Sequence, residues 1–461
     1  LLAGLAAAQL KDGDLVIGQF NDPTAAARTY GPGSLLSLDP ATGKVLTLNA
    51  RFTSVGTITV GPNWVEMASD NKNLMVAGIP SGATPTALGN GNWFFSVSPQ
   101  GSIIRTLVSD TATPTTSGHY INAFDLDYDG TWILASGYSL FAFNETTMSY
   151  GTLWTAGTAA GTHNAFVIDR ALGGPEYVVG QFNISTSTNA CLMGVDRKGH
   201  VASISVGGPS YVSGIKIDRV TGDYISSGFG IAGTGSGGEY MRTTKKGVLQ
   251  TLNAPTTATT MYRANGIYID QQHLAYILTY DWQTQPVPTV ANNYVCSVYK
   301  MDLQGVYITQ YVFGSTLTRA IFAPAGITEY GSRHVTCLGS GKPGTAVTVR
   351  FSSRRPGDAG KAYQLAAAYS YTSGIRMPNG QYLDLALDSL FVLTAQNALP
   401  FIFQNFAGVL DASGNATAKV AIPASMPPGL KMPVFVSGLV IDPGVPGGIS
   451  SVGNTHWFVL N

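Results

Sequence analysis

Charge is scarce in this chain. Of 461 residues, 26 are Lys or Arg and 26 are Asp or Glu, together 11%, where about 25% is usual for a globular domain. The two signs balance. This excludes the basic field that gathers nucleic-acid phosphates, and no polybasic segment suits an anionic lipid surface. Cysteine is almost missing. Cys191, Cys296 and Cys337 are odd in number and far apart, so they form neither a disulfide framework nor a zinc set; they read as small buried hydrophobes. The six histidines, at 119, 163, 200, 273, 334 and 456, show no metal-ligand spacing. No apolar run reaches the ~18 residues of a membrane helix, so no transmembrane segment is expected. Familiar catalytic signatures are also lacking. Gly233-Thr-Gly-Ser-Gly-Gly238 has the wrong spacing for a nucleophile elbow, and Gly339-Ser-Gly-Lys342 runs into Pro343 and is no P-loop.

Glycine and apolar residues are plentiful. There are 55 Gly, and 44% of the chain is hydrophobic. With Thr, Ser and Asn supplying the polarity, this favours β-structure with many turns. The stretch LVIGQFND at 15–22 has a partner, YVVGQFNIS, at 177–185. Between and beyond them a theme recurs: INAFDLDYDGTWILASG (121–137), HNAFVIDRALGGPEYVVG (163–180), VSGIKIDRVTGDYISSG (212–228) and ANGIYIDQQHLAYILTYDW (264–282), with a looser copy, VEMASDNKNLMVAG, at 65–78. Each copy has a polar residue, a small residue and an alternating run ending in Asp. A turn and a second apolar run follow. The anchors are Asp70, Asp127, Asp169, Asp218 and Asp270. Repeats of about 40–50 residues built from short strands mean propeller blades.

A second hairpin follows each pair. Six are expected, at 34–48, 95–108, 140–154, 191–206, 240–252 and 295–312. The first unit lacks an inner strand, and PAGITEYG (324–331) lacks an outer hairpin, so the late strand is expected to complete the first blade. The expected fold is all-β: a six-bladed, alternatively seven-bladed, β-propeller over 10–341, followed after the Gly/Pro-rich LGSGKPGT (338–345) by a β-sandwich over 346–461. YLDLALDSLFVLT is read among the sandwich strands, and Leu410–Gly414 as a hairpin turn. Residues 1–9, LLAGLAAAQ, resemble the end of a secretory signal peptide or form an N-terminal extension.

Two sets of side chains carry candidate chemistry. Asn122, Asn164, Ser213 and Asn265 each lie five residues before an anchor Asp, and His119, Tyr120, His163, Tyr211, Tyr262 and Arg263 stand just before them. On inner strands they would ring one mouth of the channel and bind a sugar, carboxylate or metal. The bland alternative is that the amides bond backbone between blades. Asp125, Asp127 and Asp129 open a D-x-D-x-D-G pattern that suits calcium. An ordinary Asp-Gly turn is the alternative, since position 136 is Ser where a calcium loop needs Glu. No other cofactor is expected.

NAFDLDYDGTWILASG followed by LFAFNETTMSYG resembles the NHL-repeat and gluconolactonase-like propellers, and SLDPATGKV resembles their outer-hairpin turn. The likeness covers about 10–340. RRPGDAGKAYQLA through FAGVLDASGNATAKVAIP to the end resembles a β-sandwich module of secreted bacterial proteins. The first resemblance implies a carboxylate-rich metal site in the channel, for which Glu66, Asp125 and Glu329 are the inner-strand acids available. The sequence departs from that pattern at Lys216 and Tyr268. Two functions follow. One is a secreted or cell-surface (alternatively periplasmic), non-catalytic protein. Its propeller face recognises a glycan, peptide or surface, and its sandwich serves docking or self-assembly; partners are a glycan, a cell-surface protein or copies of itself. The other is a metal-dependent, lactonase-like hydrolase or lyase. Fold likeness does not decide between them.

Overall fold

The computed structural model describes residues 10–19, 33–49, 60–80, 93–108, 121–137, 139–155, 162–171, 175–182, 192–204, 211–229, 238–252, 261–282, 294–313, 324–353 and 355–461. It is nearly all β. Strands such as Ile121–Leu126 bury residues on both faces, with Ala123 and Phe124 adjacent and both buried, as a pleated strand packed between two sheets requires. Among the described residues, six antiparallel units of four strands precede residue 330. The first unit joins Pro324–Glu329 to Leu15–Gln19, Ser34–Leu38 and Val45–Asn49. The late strand does complete the earliest sheet, with Ile327 opposite Ile17.

The innermost strands of the six units are Pro324–Glu329, Val60–Met67, Ile121–Leu126, Thr162–Asp169, Tyr211–Ile217 and Met261–Ile269. Each touches the next, and the last touches the first. The sheets therefore radiate from an axis as a β-propeller. The fourth and fifth are also linked at their margin by one bridge pair, Phe182 with Tyr211. Neighbouring sheets stack through large side chains. Between the second and third, Phe94 meets Phe124, Trp132 and Phe143 edge-on at 4.8, 5.8 and 5.8 Å. Such pairs are each worth about 0.5–1.5 kcal/mol beyond their burial.

The two Gly-Gln-Phe-Asn copies now have a physical reason. Gly18 and Gly180 lie in second strands of the first and fourth sheets. A Cβ on Gly18 would lie 3.2 Å from Pro62 Cβ, and one on Gly180 would lie 2.6 Å from Val212 Cγ1. Pro62 and Val212 occupy the same place in the next inner strand. Glycine leaves room for that neighbour to pack close.

Among its described residues the C-terminal region has a small ribbon that pairs Ile375–Arg376 with Tyr382–Leu383, and two larger antiparallel sheets. One orders Val335–Leu338, Ala346–Ser352, Asn415–Ala421 and Phe403–Gln404; the other contains Ala407–Val409, Ala362–Ala368, Met432–Ile441, Ile449–Val452 and His456–Leu460. They share a core, in which the Phe351 ring of the first sheet meets Tyr363 of the second at 5.6 Å. Four expectations are corrected here. Residues 338–345 form the turn between paired strands of one sheet, so Val335–Leu338 belongs with the C-terminal region and not with the propeller. The Leu410–Gly414 turn carries the chain from one sheet to the other and is not a hairpin. Ser389–Ala395 is a helix, capped by the Asp388 carboxylate accepting from Phe391 N at 2.9 Å, with Leu390 and Thr394 buried four apart. Asp70 is not an anchor. Ala68 accepts and donates the turn bonds that Asp127 makes in the next sheet.

Candidate functional site

A β-bulge sits near the start of five inner strands. The extra residue is Asn63, Asn122, Asn164, Ser213 or Asn265; in the first sheet it is Ala325. The recurring polar residue is thus the unpaired member of a bulge, which leaves its backbone and side chain free to reach sideways. Asn63 donates from Nδ2 to the Ile121 carbonyl at 3.0 Å and to Asn122 Oδ1 at 3.3 Å. Ser213 Oγ donates to the Ala264 carbonyl, and to the Ser227 carbonyl at 3.3 Å. Ile121 and Ala264 each precede the bulged residue of the next strand. At these two junctions the polar residue stitches sheet to sheet. Asn63 was missed because the misplaced anchor, Asp70, shifted the frame; counted from Ala68 it falls five residues back, like the others. Tyr211, Tyr262 and Arg263 begin inner strands. Their side chains, and those of His163 and Asn164, lie outside the described residues, as do His119 and Tyr120 altogether.

Three residues beyond each bulge stands an equivalent ring of six: Glu66, Asp125, Val167, Lys216, Tyr268 and Thr328. Glu66 and Lys216 come from the second and fifth sheets, opposite each other across the axis. Lys216 Nζ lies 2.7 Å from Glu66 Oε1, and Thr328 Oγ1 donates to Glu66 Oε2 at 3.2 Å. The central channel is spanned by an ion pair. Asp125 accepts from Arg333 Nη2 at 3.1 Å. Glu329, expected as a third channel acid, is directed to a different neighbourhood. Burial, with nearby Asp270 adding to it, pushes its carboxyl up to about 8, and Tyr268 hydrogen-bonds it.

The carboxylates of the D-x-D-x-D-G stretch also part company. Asp127 is fully buried and holds two guanidiniums, Arg170 and Arg197, the latter at 2.6 Å. Burial pushes its carboxyl up, but the two arginines hold it below the usual range. Asp129 accepts from Thr131 N at 3.0 Å, an ordinary turn bond. Among the described residues no group of three or more His, Cys, Asp or Glu side chains is placed to hold a metal ion.

The C-terminal region sits on the end of the propeller where the inner strands finish. Tyr371 OH donates to Asp169 Oδ1 at 3.2 Å. Ser373 N donates to the Val220 carbonyl and Tyr382 N to the Gln271 carbonyl, both at 2.8 Å. His273 lies between Asp384 (Nε2 to Oδ1, 2.8 Å) and Asp218 (Nδ1 to Oδ1, 3.6 Å), and its ring meets that of Tyr382 at 4.2 Å with a tilt of 33°. Burial alone would lower the His273 pKa, but the two carboxylates raise it to about 9. A cavity of about 140 Å³ remains at this junction, lined from the channel by Glu66, Asp125, Lys216 and Tyr268 and from the C-terminal region by Asp384, His456 and Trp457. Sequence reasoning could not find it, because its walls come from segments more than 300 residues apart.

Neither a protein-family model nor a curated protein matches the chain. Solved structures similar to it include a calcium-binding protein, regucalcin, from Agrobacterium tumefaciens, with 12% identity over 65% of this chain and 84% of that one, at a TM-score of 0.36. A protein described as TolB from the same organism has 8% identity over 66% and 89%, at 0.38. A gluconolactonase from Xanthomonas campestris has 12% identity over 59% and 84%, at 0.36.

Proposed function

We propose that the chain is a secreted, non-catalytic binding protein: a six-bladed β-propeller carrying a C-terminal β-sandwich that begins near Val335. The observation that carries this reading is the state of the channel acids. Glu66 is paired with Lys216 and Asp125 with Arg333. A metal-dependent hydrolase needs carboxylates free to share one ion, and here each is matched to a cation. The sandwich occupies one end of the propeller, leaving the opposite end, where the inner strands begin, for recognition. Tyr211, Tyr262 and Arg263 begin inner strands at that end, and tyrosine and arginine are residue types that suit the faces and hydroxyls of a sugar. Calcium is not needed for this reading.

The test is binding of the purified chain to immobilised bacterial and plant polysaccharides, beside an assay of lactone hydrolysis with added calcium or zinc. The expected result is saturable binding that falls at least tenfold in Y262A/R263A, with no hydrolysis above buffer. Metal-dependent lactone hydrolysis abolished by E66Q would overturn the reading and favour the lactonase-like alternative.

A further inference from the structure

The cavity under the C-terminal region holds polar groups that the protein leaves unsatisfied. His456 is 1% exposed and Trp457 3% exposed. Both line the cavity. Among the described residues the His456 Nε2 and the Trp457 Nε1 have no hydrogen-bond partner. The indole N–H can only donate. His456 Nδ1 accepts from Cys337 N at 3.2 Å, which places the proton of the neutral ring on Nε2. Burial, reinforced by Arg333, lowers the His456 pKa to about 4, which keeps the ring neutral at pH 7. Two buried donors therefore go unanswered, each bearing its desolvation penalty if nothing meets it.

The charges of the wall point the same way. Lys216 is matched by Glu66, Arg333 by Asp125 and His273 by Asp384; the fourth carboxylate of the wall, Asp270, is held by its own turn, accepting from Gln272 N at 2.8 Å and Leu274 N at 2.9 Å. Arg219, which also lines the cavity, has no carboxylate or hydrogen bond among the described residues. It lies over Tyr371 at 4.8 Å and Trp457 at 5.7 Å. The His456 and Trp457 rings stack 4.8 Å apart. One guanidinium and two orphan N–H donors thus lie on a single stack, Arg219 over Trp457 and Trp457 against His456.

We propose that this cavity binds a small oxyanion, held by Arg219, the Trp457 indole N–H and the His456 Nε2–H. A cavity of this volume takes on the order of five to ten water-sized groups. That suits acetate, sulfate or phosphate and excludes a sugar chain. Gln271 Oε1, the third unpartnered buried atom of the wall, is an acceptor ready for a hydroxyl on the ligand or for a bound water. The site is at the opposite end of the channel from the recognition mouth, so it stands or falls independently of that reading.

The experiment is isothermal titration of the full chain at pH 7 and constant ionic strength with acetate, sulfate and phosphate, and with glycerol as the uncharged comparison. Saturable binding of at least one oxyanion, and none of glycerol, is expected; the preferred anion tells a carboxylate source from an inorganic one. R219Q should weaken it about a hundredfold and W457F about tenfold, as the loss of charge-assisted hydrogen bonds requires. Should R219Q fail to fold, Q271E, which leaves the arginine stack in place and brings a negative charge to the wall, carries the test and should abolish binding. No saturable binding by the wild type, or binding indifferent to both W457F and Q271E, overturns the proposal; so does a crystal structure grown with these anions whose cavity holds only water.

Discussion

The ion pair across the channel makes a quantitative prediction. At 2.7 Å, opposite unit charges attract by about 6 kcal/mol at an effective dielectric of about 20. Much of this is offset by the loss of hydration. The two ends are unequal: the Glu66 side chain is 8% exposed and that of Lys216 21%. K216M therefore strands a nearly buried carboxylate with, among the described residues, the Thr328 hydroxyl as its remaining hydrogen bond, and should cost about 3–5 kcal/mol. E66Q strands an ammonium that still reaches water and should cost less, about 1–2 kcal/mol. The double variant E66Q/K216M carries no orphan charge. It should fall well short of the sum, with a coupling of about 2–3 kcal/mol. Equilibrium urea unfolding of the four proteins, followed by both near- and far-ultraviolet circular dichroism so that coincident transitions justify the comparison, supplies the numbers. A coupling below about 0.5 kcal/mol would refute the reasoning, because it would mean that the groups do not meet across the axis.

Three further outcomes are expected. Because His273 is raised from about 6.5 to about 9 in the folded chain, its contribution is complete below pH 6.5 and is lost as pH rises through 9; melting temperature should decline across that window, and H273Q should flatten the decline. A Cβ on Gly326 would come within 2.7 Å of Trp64 Cα and Val65 N, whereas one on Gly151 meets nothing within 4 Å; G326A should lose about 1–3 kcal/mol and G151A less than about 0.5, in the same urea assay. Since Asp127 already holds two guanidiniums, EDTA should leave the melting temperature unchanged, while D127N should lower stability by about 3–5 kcal/mol through the two arginines left unmatched.

The propeller was legible where periodicity and turn chemistry agree. All six outer hairpins were placed, and the strand at 324–329 was paired correctly with 15–19, because the turn residues recur at constant offsets from alternating runs. The turn aspartates repeat for a local reason: Asp39, Asp196 and Asp302 each accept the backbone N–H two residues on, at 2.8, 2.8 and 2.9 Å. Such local bonds write themselves into sequence. The second unit misled because Ala68 stands where the others have Asp, and an acid two residues later took its place in the frame. The helix at 389–395 was hidden because Leu-Asp-Leu-Ala-Leu-Asp alternates like a strand up to its cap. Of the candidate site, Asn122, Asn164, Ser213 and Asn265 are legible from their constant offset to the anchor, but Asn63 and the partners across the junctions are not, since Asn63 and Ile121 meet only when two sheets stack. The cavity beneath Trp457 left no signal, because a contact between distant segments imposes no local spacing.

The pairing of Pro324–Glu329 with Leu15–Gln19 also sets an order of events during synthesis. The earliest sheet is three strands with a bare margin until residue 329 has left the ribosome, by which time every other propeller sheet has its full sequence available. Joining chain segments some 300 residues apart adds only a slowly growing entropic charge, but it cannot begin early. Until then the nascent chain offers an unsatisfied strand border to its neighbours. Its risk of mispairing on polysomes should therefore be greatest just before the ring can shut, and ribosome-stalled fragments ending near 320 should be more protease-sensitive in residues 15–49 than fragments ending near 370.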